Sequence, residues 1–345
     1  MKTLVRPLGA AAVALVLLIG GTSTAQAYHL QGPKLSTSSP TFSIDSGSSA
    51  SRTAWTSGIS DWNDASAGVS LSTTSGTGTA TLGDANDSSV GWDGITYYSW
   101  NNNTNIVTDV SAYLNVAYTA SYDAAKRKGV AAHEIGHVLG LDHTSSCVLM
   151  NPTTPDRTDC GVSTPQSDDV NGVRSLYATN NFSEQESRPA TTGHTVMHLS
   201  QAKTFNSLKS LHQGADAVVL ATVGSKSESI KNGIPFTDHQ LKVLRWLKGG
   251  SADGTATIHQ TGGTVNGELI QDELEPLLQQ GQTGIYFLHQ YAPGKFFIIG
   301  GADGRFNVAI NAGTATATSA KLKGVSNSLA SVISQTQALT AAEKK

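Results

Sequence analysis

The sequence of 345 residues has little charge, no basic cluster and only two cysteines. Charged residues make up 14% of it and the formal net charge is −3. Nucleic acids and anionic membrane surfaces attract proteins through clusters of Lys and Arg, so the sequence predicts no nucleic-acid partner. A membrane-spanning helix needs about 20 apolar residues, and no segment after the N-terminus reaches that length. We therefore expect no membrane span.

The N-terminus carries the longest apolar run. Lys2 and Arg6 precede an apolar stretch at 10–19, and small residues follow at 25–27. A basic start, an apolar centre and a small-residue cleavage site are typical of a secretory signal peptide. An uncleaved anchor is the alternative, but the run is short for a bilayer. We expect residues 1–27 to be removed and the protein to be secreted to the extracellular space.

The sequence contains two cysteines, Cys147 and Cys160. An even number of cysteines in an exported chain usually forms disulfides. A redox or metal-binding pair would favour a close CxxC spacing, which these residues do not have. We expect a disulfide that closes a small loop.

The chain divides into two parts at a polar segment, 181–195, which shows no apolar period. We expect one domain over 28–180 and a β-rich accessory domain over 196–310. A partly helical tail over 311–345 completes the predicted organisation.

The second part has five segments rich in β-branched and aromatic residues, which predict strands. Between the third and the fourth, "ELIQDELEPLLQQG" (268–281) predicts a helix. Five strands and a helix are compatible with a small closed barrel, including an OB-like barrel. We expect this domain to bind a cell surface or the substrate; a stabilising appendage and a built-in inhibitor are the alternatives.

The stretch HEIGHVLGLDH has the spacing of a metal site. His133 and His137 lie four residues apart, so on a helix they share one face and can share an ion. Glu134 adjoins the first histidine and can act on water as a general base. Gly140 can end the helix in a left-handed conformation. That turn would bring His143 to the same ion and leave a fourth position open for water.

These five positions match the extended metzincin pattern HExxHxxGxxH, which a helix rich in histidine by chance does not explain. "CVLMNP" then places Met150 shortly after the last histidine. With "SDDVNGVRSLY", these segments resemble the matrixin branch of the metzincin zinc metalloendopeptidases, over about residues 28–180. The resemblance implies one catalytic Zn²⁺ held by His133, His137 and His143, with Met150 in a Met-turn beneath it.

The resemblance also implies an α+β fold: a metzincin-like catalytic domain with a twisted mixed sheet and three helices, followed by the β-rich domain. It implies an endopeptidase in which a zinc-bound water, activated by Glu134, attacks the peptide bond. A protein or peptide substrate would pair with an edge strand, for which "GITYYSW" (94–100) or its neighbour is the candidate. Residues 150–154 would line the pocket for the side chain after the scissile bond.

Two alternatives to a matrixin remain open. One is a metzincin of another branch, against which Asp142-His143 and the short path to Met150 argue. The other is a non-catalytic secreted adhesion or binding protein that retains a metal site. The intact Glu134 argues against it, because loss of the base would be the simplest way to retire the enzyme.

The sequence departs from the vertebrate-type family pattern in its control and in its structural metals. No cysteine precedes the motif, so the family's cysteine block of the zinc is not expected. The enzyme is then either active on secretion or restrained in another way.

"GDANDSSVGWDG" lacks histidines for a second zinc. Its oxygen ligands suit a structural Ca²⁺, and a polar turn capped by its own side chains is the alternative. The candidate calcium ligands are Asp84, Asn86, Asp87 and Asp93.

Overall fold

The computed structural model describes residues 28–177, 194–250, 254–311, 314–319, 322 and 328–343. The expected signal peptide and most of the expected linker lie outside these residues. Within the described ranges, no helix is long and apolar enough to cross a membrane.

Strands and helices alternate through the first part of the chain. In order, they are β1 His29–Leu30, β2 Thr41–Asp45, α1 Ser49–Asp64, β3 Ser72–Thr74, β4 Ala80–Ala85, β5 Trp92–Asn101, β6 Ile106–Asn115, α2 Val116–Thr119, α3 Ala124–Val138, β7 Leu141–Asp142, α4 Thr154–Asp159 and α5 Ser167–Tyr177.

The second part consists mainly of strands. In order, its elements are β8 His194–Gln201, α6 Leu208–Gly214, β9 Ala217–Lys231, β10 Ile234–Lys248, β11 Thr257–Thr261, β12 Gly263–Val265, β13 Glu268–Ile270, β14 Thr283–Ala292, β15 Lys295–Ile298, a 3-10 turn Gly301–Gly304, β16 Arg305–Asn311, β17 Thr314–Ser319 and α7 Leu329–Glu343.

The first sheet has six strands in the order β3-β2-β4-β6-β5-β8. Strand β2 is parallel to β3 and β4, β4 is parallel to β6, and β5 is antiparallel to both β6 and β8. Helices α1 and α3 contribute to the same core as the strands. Trp55 and Trp62 of α1 are fully buried there. Their indole N–H groups donate to the Gly83 carbonyl (3.2 Å) and the Ala132 carbonyl (2.9 Å), so neither buried donor lacks a partner.

Both long helices of this domain begin at side-chain caps. Ser48 accepts from the Ser51 N–H at the start of α1, and Asp123 accepts from the Lys126 N–H at the start of α3. The two helices approach closely at Gly58, where a Cβ would lie 3.1 Å from the Ala132 nitrogen. This close packing fixes α3, which carries the histidine motif, against the sheet.

The second sheet has seven strands in the order β15-β11-β10-β9-β14-β16-β17, and β15 also pairs with β14. Five of these strands therefore form a ring, in which β11 and β15 are parallel and the other pairs are antiparallel. Phe287 and Phe306 lie in the buried core beside this sheet, together with Val332 of α7.

The segment 268–281, expected to be a helix, begins with the short strand β13 and contains no helix. Asp272 explains the difference, because its Oδ1 accepts from the N–H groups of Leu274 and Glu275, both at 2.8 Å. A side chain that bonds nearby backbone in this way forms a turn that competes with a helix.

The two parts of the chain share a core, and the expected boundary at 195–196 falls inside β8. This shared core joins Trp92 and Ile95 of β5 to Met197 of β8 and Phe236 of β10. The Trp92 indole N–H also donates to Thr261 Oγ1 at 2.9 Å. Strand β8 thus completes the first sheet while packing against strands of the second part of the chain.

Candidate metal centre and catalytic cleft

The three motif histidines converge at the end of α3. His133 and His137 lie in the last, fully buried turns of that helix, and His143 follows β7. The Nε2 atom of His137 lies 3.1 Å from that of His133 and 3.1 Å from that of His143. The remaining Nε2–Nε2 distance, between His133 and His143, is 3.3 Å.

The other ring nitrogens of two of these histidines face carbonyl oxygens. His133 Nδ1 lies 2.7 Å from the Leu149 carbonyl, and His137 Nδ1 lies 2.8 Å from the Leu141 carbonyl. A carbonyl can only accept, so both Nδ1 atoms carry the proton and both Nε2 atoms present lone pairs. Arg157 Nη1 is also 3.3 Å from His133 Nδ1, but its shorter hydrogen bond is to the Asn151 carbonyl.

The donor set fits a divalent metal ion. Burial lowers the pKa of His133 and of His137 well below the ordinary value, so both rings are neutral, as metal ligation requires. Buried lone pairs that face one another repel unless a cation lies between them. Ligand nitrogens about 2.0–2.1 Å from a tetrahedral zinc are about 3.4 Å apart, which is close to the distances seen here.

The turn after α3 positions the third histidine. Gly140 has φ of +101°, and its N–H donates to the His137 carbonyl at 2.9 Å. Strand β7 then pairs with β1 near the start of the described chain. From the same segment, Gln31 donates to the Leu141 carbonyl at 2.6 Å, and His29 Nδ1 lies 2.9 Å from the His143 carbonyl.

Glu134 lies beside the histidines and against β5. It is 0% exposed, and its Oε2 accepts from Thr96 Oγ1 at 2.7 Å. Among the described residues, no donor reaches Glu134 Oε1. Gly94 leaves room for this oxygen, since a Cβ there would clash with it. Burial raises the pKa of Glu134 to about 8, and a cation at the histidines would favour the carboxylate and lower that pKa.

Met150 packs against α3, the helix that carries His133 and His137. It is 2% exposed, and a Cβ on Gly136 of α3 would clash with its Sδ atom. The buried Asp169 carboxylate of α5 accepts from the N–H groups of Leu149 (3.0 Å) and Met150 (3.1 Å). Helix α5 therefore fixes the turn whose Leu149 carbonyl orients His133.

Comparison with known families agrees with this geometry. Residues 69–178 match the family model described as Matrixin. This part of the chain is therefore similar to the matrixin family.

Three plant and animal proteins show the same similarity. Metalloendoproteinase 2-MMP of Arabidopsis thaliana is 40% identical over 89 residues, which is 25% of this chain and 21% of that protein. Metalloendoproteinase 1 of Glycine max is 44% identical over 63 residues (18% and 19%), and Stromelysin-1 of Mus musculus is 47% identical over 51 residues (14% and 11%). The chain thus spans about a fifth or less of the length of these relatives.

The segment that follows Met150 is the expected wall of the substrate pocket, and it leads into α4. Thr153 caps α4, and Arg157 of that helix is 2% exposed. The Arg157 guanidinium donates one hydrogen bond to the Asn151 carbonyl and another to Thr154 Oγ1, the latter at 2.6 Å. The expected disulfide is present, with the Cα atoms of its two cysteines 5.7 Å apart; the pair is Cys147–Cys160.

The candidate calcium ligands have separate partners. Asp84 accepts from Ser46, Asp93 accepts from Tyr122, and Asp87 pairs with Lys231 of β9 at 2.8 Å. Asn86 is exposed. Within the described ranges, the groups with metal-binding geometry are formed around His143 and include none of these residues.

The histidine motif does not predict the residues, remote from it in the sequence, that position its side chains. Thr96 and Gly94 of β5, Gln31 near β1 and Asp169 of α5 reach it only through tertiary contacts. Asp168 and Asp169 lie in the first turn of α5, where acidic residues are typical of a helix N-terminus and do not indicate contact with a metal centre. For Thr96 and Gln31 the sequence offers no pattern that singles them out.

Proposed function

We propose that this protein is a secreted, zinc-dependent endopeptidase that cleaves extended protein or peptide substrates. One observation carries the proposal: three buried histidine Nε2 atoms converge beside a buried carboxylate in a matrixin-like domain. The N-terminal sequence pattern and the disulfide support secretion.

His133, His137 and His143 would hold the ion. Bound zinc would supply a Lewis acid that polarises the substrate carbonyl and lowers the pKa of water. Glu134 would take the proton of the attacking water and pass it to the leaving amine. Thr96 holds Oε2 in place, so Oε1 is the oxygen that would carry this proton.

We also propose that the second domain is an OB-like barrel. Its five-strand ring and the parallel pairing of β11 with β15 support this, because that fold is a small Greek-key barrel of five strands. Contacts with β8 support a role for this domain at the catalytic cleft.

Zinc content and hydrolysis test the function together. We expect the full chain to bind one zinc, and His137→Ala to lose it. Over a long incubation with a denatured protein and a peptide library, we expect zinc-dependent cleavage that Glu134→Gln reduces by at least about a hundredfold while retaining zinc. Equal cleavage by parent and Glu134→Gln would refute the mechanism. Zinc binding without cleavage by any folded variant would favour the non-catalytic binding protein.

A further inference from the structure

Strand β8 lies along the edge of β5 that a substrate would need. The two strands pair antiparallel from Trp92 opposite Gln201 to Trp100 opposite His194. The sequence predicts β5 as the candidate substrate-binding edge, yet the backbone of β5 is already paired with β8 of the same chain. Extended peptides bind to sheets by adding a strand in this way.

The same segment also contacts the opposite wall of the cleft. The Gln201 N–H donates to the Pro152 carbonyl at 2.9 Å, and Ser200 Oγ accepts from Arg157 Nη2 at 2.8 Å. Ser200 Oγ is also 3.3 Å from Thr154 Oγ1. Strand β8 therefore spans the space between β5 and the wall that follows Met150.

His198 covers the metal centre. Its ring stacks on that of His137 with the centroids 4.4 Å apart and the planes 8° from parallel. Its Nδ1 atom is 3.6 Å from Asp142 Oδ1, and the residue is 3% exposed. With β8 in this position, no peptide can lie along β5 at the histidines.

The barrel holds β8 from outside. Met197 and Leu199, which alternate with His198 and Ser200, belong to the core shared with the barrel. The Asp272 carboxylate accepts the Leu199 N–H at 2.9 Å. The segment thus fills the cleft with one face and is anchored to the second domain by the other.

We propose that residues 194–201 are a substrate-like, autoinhibitory occupant of the chain's own cleft, and that the cleft binds peptides only when β8 leaves β5. This inference rests on the proposed function, since it assigns the regulation of that site. It also supplies a restraint that needs no cysteine upstream of the motif.

A disulfide can lock β8 in place. Ser99 and Thr195 are directly opposed, with side-chain oxygens 2.8 Å apart. Opposed residues of antiparallel strands have Cα separations of about 4.5–5.5 Å, within the range that a disulfide spans. The double variant Ser99→Cys/Thr195→Cys should therefore hold β8 docked when oxidised and release it to the parental state when reduced.

Two variants should release β8. Asp272→Ala removes the acceptor of the Leu199 N–H, and Ser200→Arg places a second cation against Arg157. Asp216→Ala is the control, because Asp216 also accepts a backbone N–H of the barrel, that of Gln290 at 2.9 Å, and its ion pair is with His289 of the barrel. Circular dichroism and thermal melting would establish that each chain is folded.

The first readout is binding of a fluorescent peptide of sequence HTVMHLSQ to full-length, zinc-loaded chains carrying Glu134→Gln. We expect both release variants to bind it at least about tenfold more tightly than the parent, Asp216→Ala to bind it like the parent, and the oxidised lock to show no binding until it is reduced. The parent under the same reductant controls for the native disulfide. If the oxidised lock binds as well as the reduced chain, or neither folded release variant gains affinity, the inference is wrong.

Hydrolysis with Glu134 restored separates the two proposals. If the release variants bind the peptide but cleave nothing, the protease function is refuted and the autoinhibitory role of β8 still stands. If locked and released chains cleave at the same rate and the cleavage depends on Glu134, the protease function is supported and the autoinhibitory role of β8 is refuted.

Discussion

At the scale of single residues, the centre depends on glycines placed against Glu134, the proposed general base, and against Met150. Gly94 and Gly136 leave the space that Glu134 and Met150 occupy. Neither glycine is needed for its backbone angle, since neither has a positive φ. Their role is to let β5 and the Met150 turn approach α3. An added methyl group should therefore displace the Glu134 or Met150 side chain rather than unfold the chain.

Gly94→Ala tests this directly. The new Cβ would push the Glu134 carboxylate away, and a displacement of about 1 Å can cost on the order of a hundredfold in rate. We expect peptide hydrolysis to fall by that factor while zinc content stays the same, both measured against the parent. Gly47→Ala is the control, because a Cβ there meets nothing within 4 Å. Equal losses in the two variants would show that the steric argument is mistaken.

At the scale of elements, the segment between β7 and α5 is a loop held at several points. The disulfide ties Cys147 to Cys160 across a sequence separation of 13. The Asp169 carboxylate holds the backbone near Met150, and α4 places Arg157 behind it. These contacts give a loop of irregular backbone the rigidity that the Leu149 carbonyl needs to orient His133.

Removal of the disulfide should weaken this element. For a loop of about 15 residues, loss of the cross-link costs roughly 3 kcal/mol in unfolding free energy. We expect Cys147→Ser/Cys160→Ser to show such a loss in denaturant titrations, together with weaker zinc retention against a chelator. The parent in reductant should behave in the same way. A double variant as stable as the oxidised parent would contradict this prediction.

At the scale of the whole molecule, the two domains meet at β8, and a buried acid contributes to that contact. Burial raises the pKa of Asp272 to about 6, although hydrogen bonds from three backbone N–H groups favour its charged form and the Asp142 charge opposes it. A carboxyl whose folded pKa lies above its ordinary 3.8 stabilises the fold fully below about pH 4. That contribution is lost as the pH rises through 6.

We therefore expect the free energy of unfolding to contain a component that decreases between about pH 4 and pH 6. A shift of this size corresponds to on the order of 3 kcal/mol. Asp272→Asn cannot titrate, so its unfolding free energy should lack this slope when both chains are titrated with denaturant across the range. The exposed Asp64→Asn should keep it. A slope that persists in Asp272→Asn would show that other groups cause it.

Much of the candidate centre could be predicted because its signals are local. The spacing of His133 and His137 follows from the helical period, and the turn at Gly140 follows from the freedom of glycine. The paired cysteines needed only their number and an export signal. The segment 268–281 was wrongly predicted as a helix because the turn formed by Asp272 overrides helical propensity.

The sequence by itself determined the metal-ligand motif, the family resemblance and the division into an α+β part and a β-rich part, since each rests on periodicity or spacing within a short segment. Only the tertiary structure decided what lies in the cleft. Strand β8 pairs with a strand about a hundred residues earlier in the chain, and nothing local in HTVMHLSQ specifies that partner. Long-range strand pairing depends on the sheet edge that the rest of the fold leaves open, and here that edge is the one beside the candidate metal centre.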